Sequence, residues 1–133
     1  MALIYVDSVI CIYLIEGDGP RREHALEKLA QTDASLCVSP LVLMECLVKP
    51  FREDDPDLER RYRELLGGFE TAEMGLGVWE AAARIRATLR LGAADAIHLA
   101  AARGAGCSEL WTADAALAKK APGFAVDLFA DLT

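Results

Sequence analysis

Leu3-Ile4-Tyr5-Val6-Asp7-Ser8 is the stretch that decides how this chain folds. Its apolar run is short and rich in residues that suit a strand buried on both faces. The run stops at an acid. Segment 8–15 then carries Val9, Ile12 and Tyr13 with helical periodicity. A strand that ends on a carboxylate and turns into a helix places that carboxylate outside the strand's carboxyl end. Open parallel sheets bind their ligands there. Asp7 serves equally well as a plain helix N-cap, and Ser8 can hold a water or the acid, or be the cap itself.

The pattern repeats outward from this point. Apolar runs at 35–38, 68–71, 109–112 and 124–128 predict further strands, the second of these being weak. Between them lie segments with helical periodicity. Segment 20–31 opens on a proline and spaces Ala25, Leu26 and Leu29 along a helix. Segment 39–49 opens on Ser39-Pro40, a cap and first-turn pair, and Pro50 is expected to end it. Segment 57–66 is charged and amphipathic, 77–89 places Val78, Ala82, Ile85 and Leu89 on one stripe, 93–103 is alanine-rich, and 114–120 is short. Alternation of this kind predicts a parallel sheet with helices on both faces, in a single domain over 1–133.

Bulk properties narrow the function. A net charge of −7 argues against gripping nucleic acid by overall electrostatics, so any such contact must rest on locally clustered arginines. No apolar run approaches the roughly 18 residues of a membrane span. The start reaches an acid without a basic region, so the expectation is a cytoplasmic protein away from membranes. Cys11, Cys37, Cys46 and Cys107 form no C-x-x-C pair and sit in apolar stretches, which reads as small buried hydrophobes rather than zinc ligands.

Four acids stand among apolar neighbours: Asp7, Glu45, Asp95 and Asp114. Burying an uncompensated polar group costs roughly 2–7 kcal/mol, and a charge costs more. Glu45 shares a helix face with Leu41, Val42 and Val48, although partial exposure or an ion pair to Lys49 is open to it. Asp95 shares one with Leu91, Leu99 and Ala102. Asp114 follows a strand as Asp7 does, and a cap is again the competitor. Thr112 is an alternative cap, or a residue that positions a water. His98, one turn after Asp95, reads as a packed, hydrogen-bonded histidine outside the site. Two strand-end acids and two helix acids suggest one shared compensator, a divalent cation. Oxygen-only ligands select Mg²⁺ or Mn²⁺ over zinc.

The chain also resembles a known family. Tyr5-Val6-Asp7-Ser8, Ser39-Pro40-Leu41-Val42-Leu43-Met44-Glu45, Ala94-Asp95-Ala96-Ile97-His98-Leu99-Ala100-Ala101-Ala102 and Leu110-Trp111-Thr112-Ala113-Asp114 look like the four acidic motifs of PIN-domain ribonucleases. The nearest type is the VapC-like toxin of type II toxin–antitoxin pairs. The resemblance implies a three-layer α/β/α sandwich with a central, mostly parallel sheet. It implies Mg²⁺- or Mn²⁺-dependent RNA cleavage, with Asp7, Glu45, Asp95 and Asp114 as catalytic metal ligands. It further implies a homodimer and a cognate antitoxin that occludes the site. Ala115-Ala116-Leu117 follow Asp114 where many members carry a further acid, and Thr112 is a candidate for a supporting role beside Ser8.

Arg86 and Arg90 share a helix face before the third motif and are the candidate RNA contacts; a solvated helix side is the alternative. Arg60, Arg61 and Arg63 are interleaved with acids and read as surface ion pairs. The dimer surface is expected on segment 57–66, with Leu58, Tyr62, Leu65 and Leu66, and on the first helix. Two competing readings are a non-catalytic PIN-fold interaction module and a receiver-type phosphoacceptor domain. The second lacks its paired acids after the first strand and its late lysine.

Overall fold

The computed structural model describes residues 2–132, so the ends of the 1–133 range, residues 1 and 133, lie outside the described residues. The chain runs β1 (Leu3–Val6), α1 (Ser8–Glu16), α2 (Gly19–Gln31), β2 (Ser35–Val38), α3 (Pro40–Arg52), α4 (Pro56–Gly67), β3 (Glu70–Thr71), α5 (Leu76–Leu89), α6 (Ala93–Gly104), β4 (Glu109–Thr112), α7 (Ala115–Lys120) and β5 (Ala125–Asp127). The strand order is β3-β2-β1-β4-β5, and every pairing is parallel. The predicted sheet is thus fully rather than mostly parallel. Because parallel crossovers are right-handed, the reversal of direction at β1 sends α1–α4 to one face and α5–α7 to the other. The result is the α/β/α sandwich.

That reversal fixes the functional end of the molecule. β1 lies between β2 and β4, so the chain leaves β1 toward one edge and later returns on its other side. Val6 pairs with Trp111, which brings the residues after β1 and β4 together. The Asp7 amide donates to the Trp111 carbonyl at 3.1 Å. Tyr5, Val6, Leu110 and Trp111 are buried, as expected for central strands covered on both faces.

Several local expectations need correction. Pro50 does not end α3, which continues to Arg52. A proline so near the last turn removes only one ladder bond, and its ring is buried. Leu26 is exposed, and Ala25 is the residue of α2 that enters the core. On α5 only Ala82 of the four stripe residues is fully buried. The α4 residues proposed for a dimer surface are spent internally: Leu58, Tyr62 and Leu66 belong to the chain's own core. Gly17, which ends α1, is required for space, since a Cβ there would lie 2.5 Å from the Tyr13 carbonyl oxygen. All four cysteines are free and buried, as read from the sequence.

Candidate functional site

Asp7 is the N-cap of α1 and is 6% exposed; its Oδ1 accepts from the Ile10 amide at 3.2 Å. Burial pushes its carboxyl up, while the Thr112 side chain, His98 and the Ile10 and Val9 amides pull the other way. Asp114 is the N-cap of α7, accepting through Oδ1 from the Ala116 and Leu117 amides. Its own amide receives support from Thr112 Oγ1 at 3.1 Å. Both strand-end acids are therefore helix caps, the competing role the sequence left open. A cap of this kind commits one oxygen of each carboxylate.

Glu45 sits on α3 at the boundary between core and surface. Val42 is buried on its face but Val48 is 50% exposed, so Glu45 has the partial exposure that the sequence left open. Its partner is not Lys49, which pairs with Glu16. Instead Glu45 Oε1 accepts from Ser8 Oγ at 2.9 Å and meets His98 Nε2 at 2.6 Å. The His98 contact, opposed by desolvation, holds the Glu45 carboxyl below its usual range.

Asp95 lies in the first turn of α6, half-buried. Its carboxylate accepts no hydrogen bond among the described residues. Burial raises its pKa, the Asp114 charge raises it further, and Glu45 adds to the rise against His98 and Lys120. Those couplings place Asp95, Asp114 and Glu45 within one electrostatic environment.

Sequence reading missed the group that joins these elements. Tyr5 OH lies 2.7 Å from both Ser39 Oγ and His98 Nδ1. Ser39 therefore opens α3 without giving its side chain to the cap. His98 is packed and hydrogen-bonded, as expected of it, yet it touches Glu45 directly. The available signals were a tyrosine inside an apolar strand and a histidine one turn from Asp95. Arg86 and Arg90 are both exposed. Arg90 caps α5 with φ 55, and its carbonyl accepts from Lys120 Nζ.

The donor chemistry of the four acids fits a hard divalent cation, being carboxylate oxygen throughout. The present side-chain arrangement fits less well. Among the described residues, no three His, Cys, Asp or Glu side chains form a group that could hold an ion as they stand. One oxygen each of Asp7, Glu45 and Asp114 is committed to a cap, or to His98 and Ser8.

Residues 4–122 match the PIN-domain family. The chain belongs to the PIN-domain family. This membership sets aside the receiver-type alternative. Among solved structures, a toxin–antitoxin complex from Klebsiella pneumoniae is 26% identical with TM-score 0.78, covering 96% of this chain and 98% of that one. The VapBC-1 structure from nontypeable Haemophilus influenzae is 16% identical with TM-score 0.77, covering 95% and 98%. Mycobacterium tuberculosis VapC20, a toxin that cleaves the sarcin–ricin loop, is 20% identical with TM-score 0.74, covering 93% and 97%. The two likenesses at lower identity speak to the fold alone. No curated protein matches the chain. No helix among the described residues of this PIN domain is long and apolar enough to cross a membrane.

Proposed function

We propose that this PIN domain is a divalent-metal-dependent ribonuclease, the toxin of a toxin–antitoxin pair, working in the cytoplasm as a homodimer. The observation that carries the reading is Asp95: a half-buried carboxylate without a hydrogen-bond partner among the described residues, raised in pKa by burial and by Asp114 and Glu45. It belongs to a set of acids whose strand-end members lie at the switch point between β1 and β4, where open parallel sheets take ligands.

In this reading Asp7, Glu45, Asp95 and Asp114 hold Mg²⁺ or Mn²⁺. A bound divalent cation would supply an activated water and neutralise charge on the phosphodiester under attack. The chain's own residues prepare the place for it. The α1 cap fixes Asp7, and Ser8 and His98 fix Glu45. Thr112 supports both strand-end acids, through the Asp114 amide and the Asp7 side chain. Arg86 on α5 and Arg90, just past its end and off its face, are exposed and would meet RNA phosphates.

An antitoxin has a natural route to the site. A cavity of about 510 Å³ is lined by Val9, Ile12, Cys46, Lys49 and Tyr62 and reaches Glu45. Its apolar rim suits a partner segment with apolar side chains, and the acids at its end suit a basic residue.

The test is to incubate the purified chain with total RNA in Mn²⁺ or in EDTA, beside Asp95→Asn. Cleavage that needs Mn²⁺ and is lost in the variant supports the reading, and cleavage that survives EDTA or the substitution refutes it. Expression of the chain should slow growth, and expression of Asp7→Asn should not. A non-catalytic PIN-fold module draws support from the lack of three converging ligands among the described residues. It requires that the same RNA stay intact in Mn²⁺.

A further inference from the structure

We propose that His98 is a positioning residue for Glu45, fixing one carboxylate oxygen so that the other is presented to a divalent cation. The inference rests on the ribonuclease reading above but concerns a residue outside the four acids.

The hydrogen bond between His98 and Glu45 has one possible direction. A carboxylate oxygen only accepts, so His98 Nε2 must donate to Glu45 Oε1 across their 2.6 Å contact. A neutral imidazole with its proton on Nε2 accepts at Nδ1. In that ring Tyr5 OH donates to Nδ1 and accepts from Ser39 Oγ, and in the imidazolium both directions reverse; both contacts are 2.7 Å. Ser8 Oγ donates to the same Oε1 at 2.9 Å. Oε1 is thereby satisfied by two donors, and Oε2 is the oxygen left for a ligand.

The ring is held firmly enough to impose this geometry. His98 is 3% exposed and packs edge-on against Tyr5, with ring centroids 5.7 Å apart. Tyr5 is itself fully buried in β1, the central strand. Glu45 is therefore oriented by Ser8 on α1 and, through His98 and Tyr5, by the sheet. Partners of ligating carboxylates matter in this way, and removing them costs about 10–100-fold in metal affinity.

The experiment combines calorimetric Mn²⁺ titration of wild type, Glu45→Gln, His98→Leu, His98→Gln and Tyr5→Phe with ¹⁵N NMR of the His98 ring in EDTA. The NMR should show the proton on Nε2. His98→Leu should bind Mn²⁺ about 10–100-fold more weakly. His98→Gln keeps an N–H donor and should restore most of that loss, which a merely structural histidine would not require. Tyr5→Phe, which removes only the outer anchor, should weaken Mn²⁺ in the same direction and stands in if His98→Leu does not fold. A proton on Nδ1 with none on Nε2 overturns the inference. So does a folded His98→Leu, or Tyr5→Phe in its place, that binds Mn²⁺ like wild type while Glu45→Gln does not; in that case the ribonuclease reading survives. A wild-type chain that binds no Mn²⁺ overturns both.

Discussion

The charge of Asp114 adds to burial in raising the pKa of Asp95 on the neighbouring helix. A carboxyl with a raised folded-state pKa keeps its proton longer in the folded chain than in the unfolded one. Stability then falls as pH rises from the ordinary value of 3.8 through the raised one, and the penalty is complete once Asp95 is ionised. In EDTA at neutral pH, Asp95→Asn should therefore melt at or above the wild-type temperature. The two melts should converge at acid pH, where wild-type Asp95 is also neutral. Mn²⁺ should raise the wild-type melting temperature, worth about 2.7 kcal/mol at one hundred times Kd, and the variant should lose most of that gain. A variant that melts clearly lower in EDTA and still gains fully from Mn²⁺ would make Asp95 a structural residue.

Asp114 has two separable roles, cap and proposed ligand. Asparagine caps a helix as well as aspartate does, whereas alanine does not. Asp114→Asn should melt at or above the wild-type temperature in EDTA, because it relieves Asp95, but weaken Mn²⁺ binding. Asp114→Ala should do both kinds of harm, with a stability loss of about 0.5–2 kcal/mol. Paired denaturant melts and Mn²⁺ titrations decide. If Asn binds Mn²⁺ as well as Asp, the residue is only a cap.

Arg90 holds the left-handed conformation that favours glycine, with φ 55. Arg90→Gly removes the side chain without straining the backbone. Combined with Arg86→Ala, it should weaken RNA binding and flatten its salt dependence, by about 0.7 in log–log slope for each lost contact with a single strand. Binding to a labelled RNA in EDTA across a salt series measures this directly. An unchanged slope would mark both arginines as solvated surface.

Leu66 lies in the core, within the segment expected to form a dimer surface. Leu66 is 7% exposed, whereas Phe51 is 55% exposed on α3, and Trp79 is similarly open on α5. Leu66→Ala should cost about 2–5 kcal/mol with no change in solution mass. A wild-type chain that is monomeric at micromolar concentration removes the homodimer.

Much of the architecture follows from local sequence. Leu3-Ile4-Tyr5-Val6 and Glu109-Leu110-Trp111-Thr112 become central strands, because short apolar runs are stable only when both faces are covered. Asp7 and Asp114 land at helix starts because capping depends on residues only a few positions away. Periodicity places Glu45 and Asp95 on helices, and it marks all four acids as unusual.

The partners of those acids were decided by the tertiary structure. His98 bonds to Tyr5, 93 residues earlier, and to Glu45, 53 residues earlier. Lys49 passes over Glu45, one turn away, for Glu16 on α1. Leu58, Tyr62 and Leu66 read as an amphipathic stripe, but no periodicity says whether such a stripe faces its own core or a second copy. Each of these outcomes depends on strand order. β4 comes to lie beside β1, and α3 is carried to where α6 can reach it. A hydrogen bond or a buried face is chosen among the groups that packing brings within a few ångströms, and for these residues those groups are far apart in sequence.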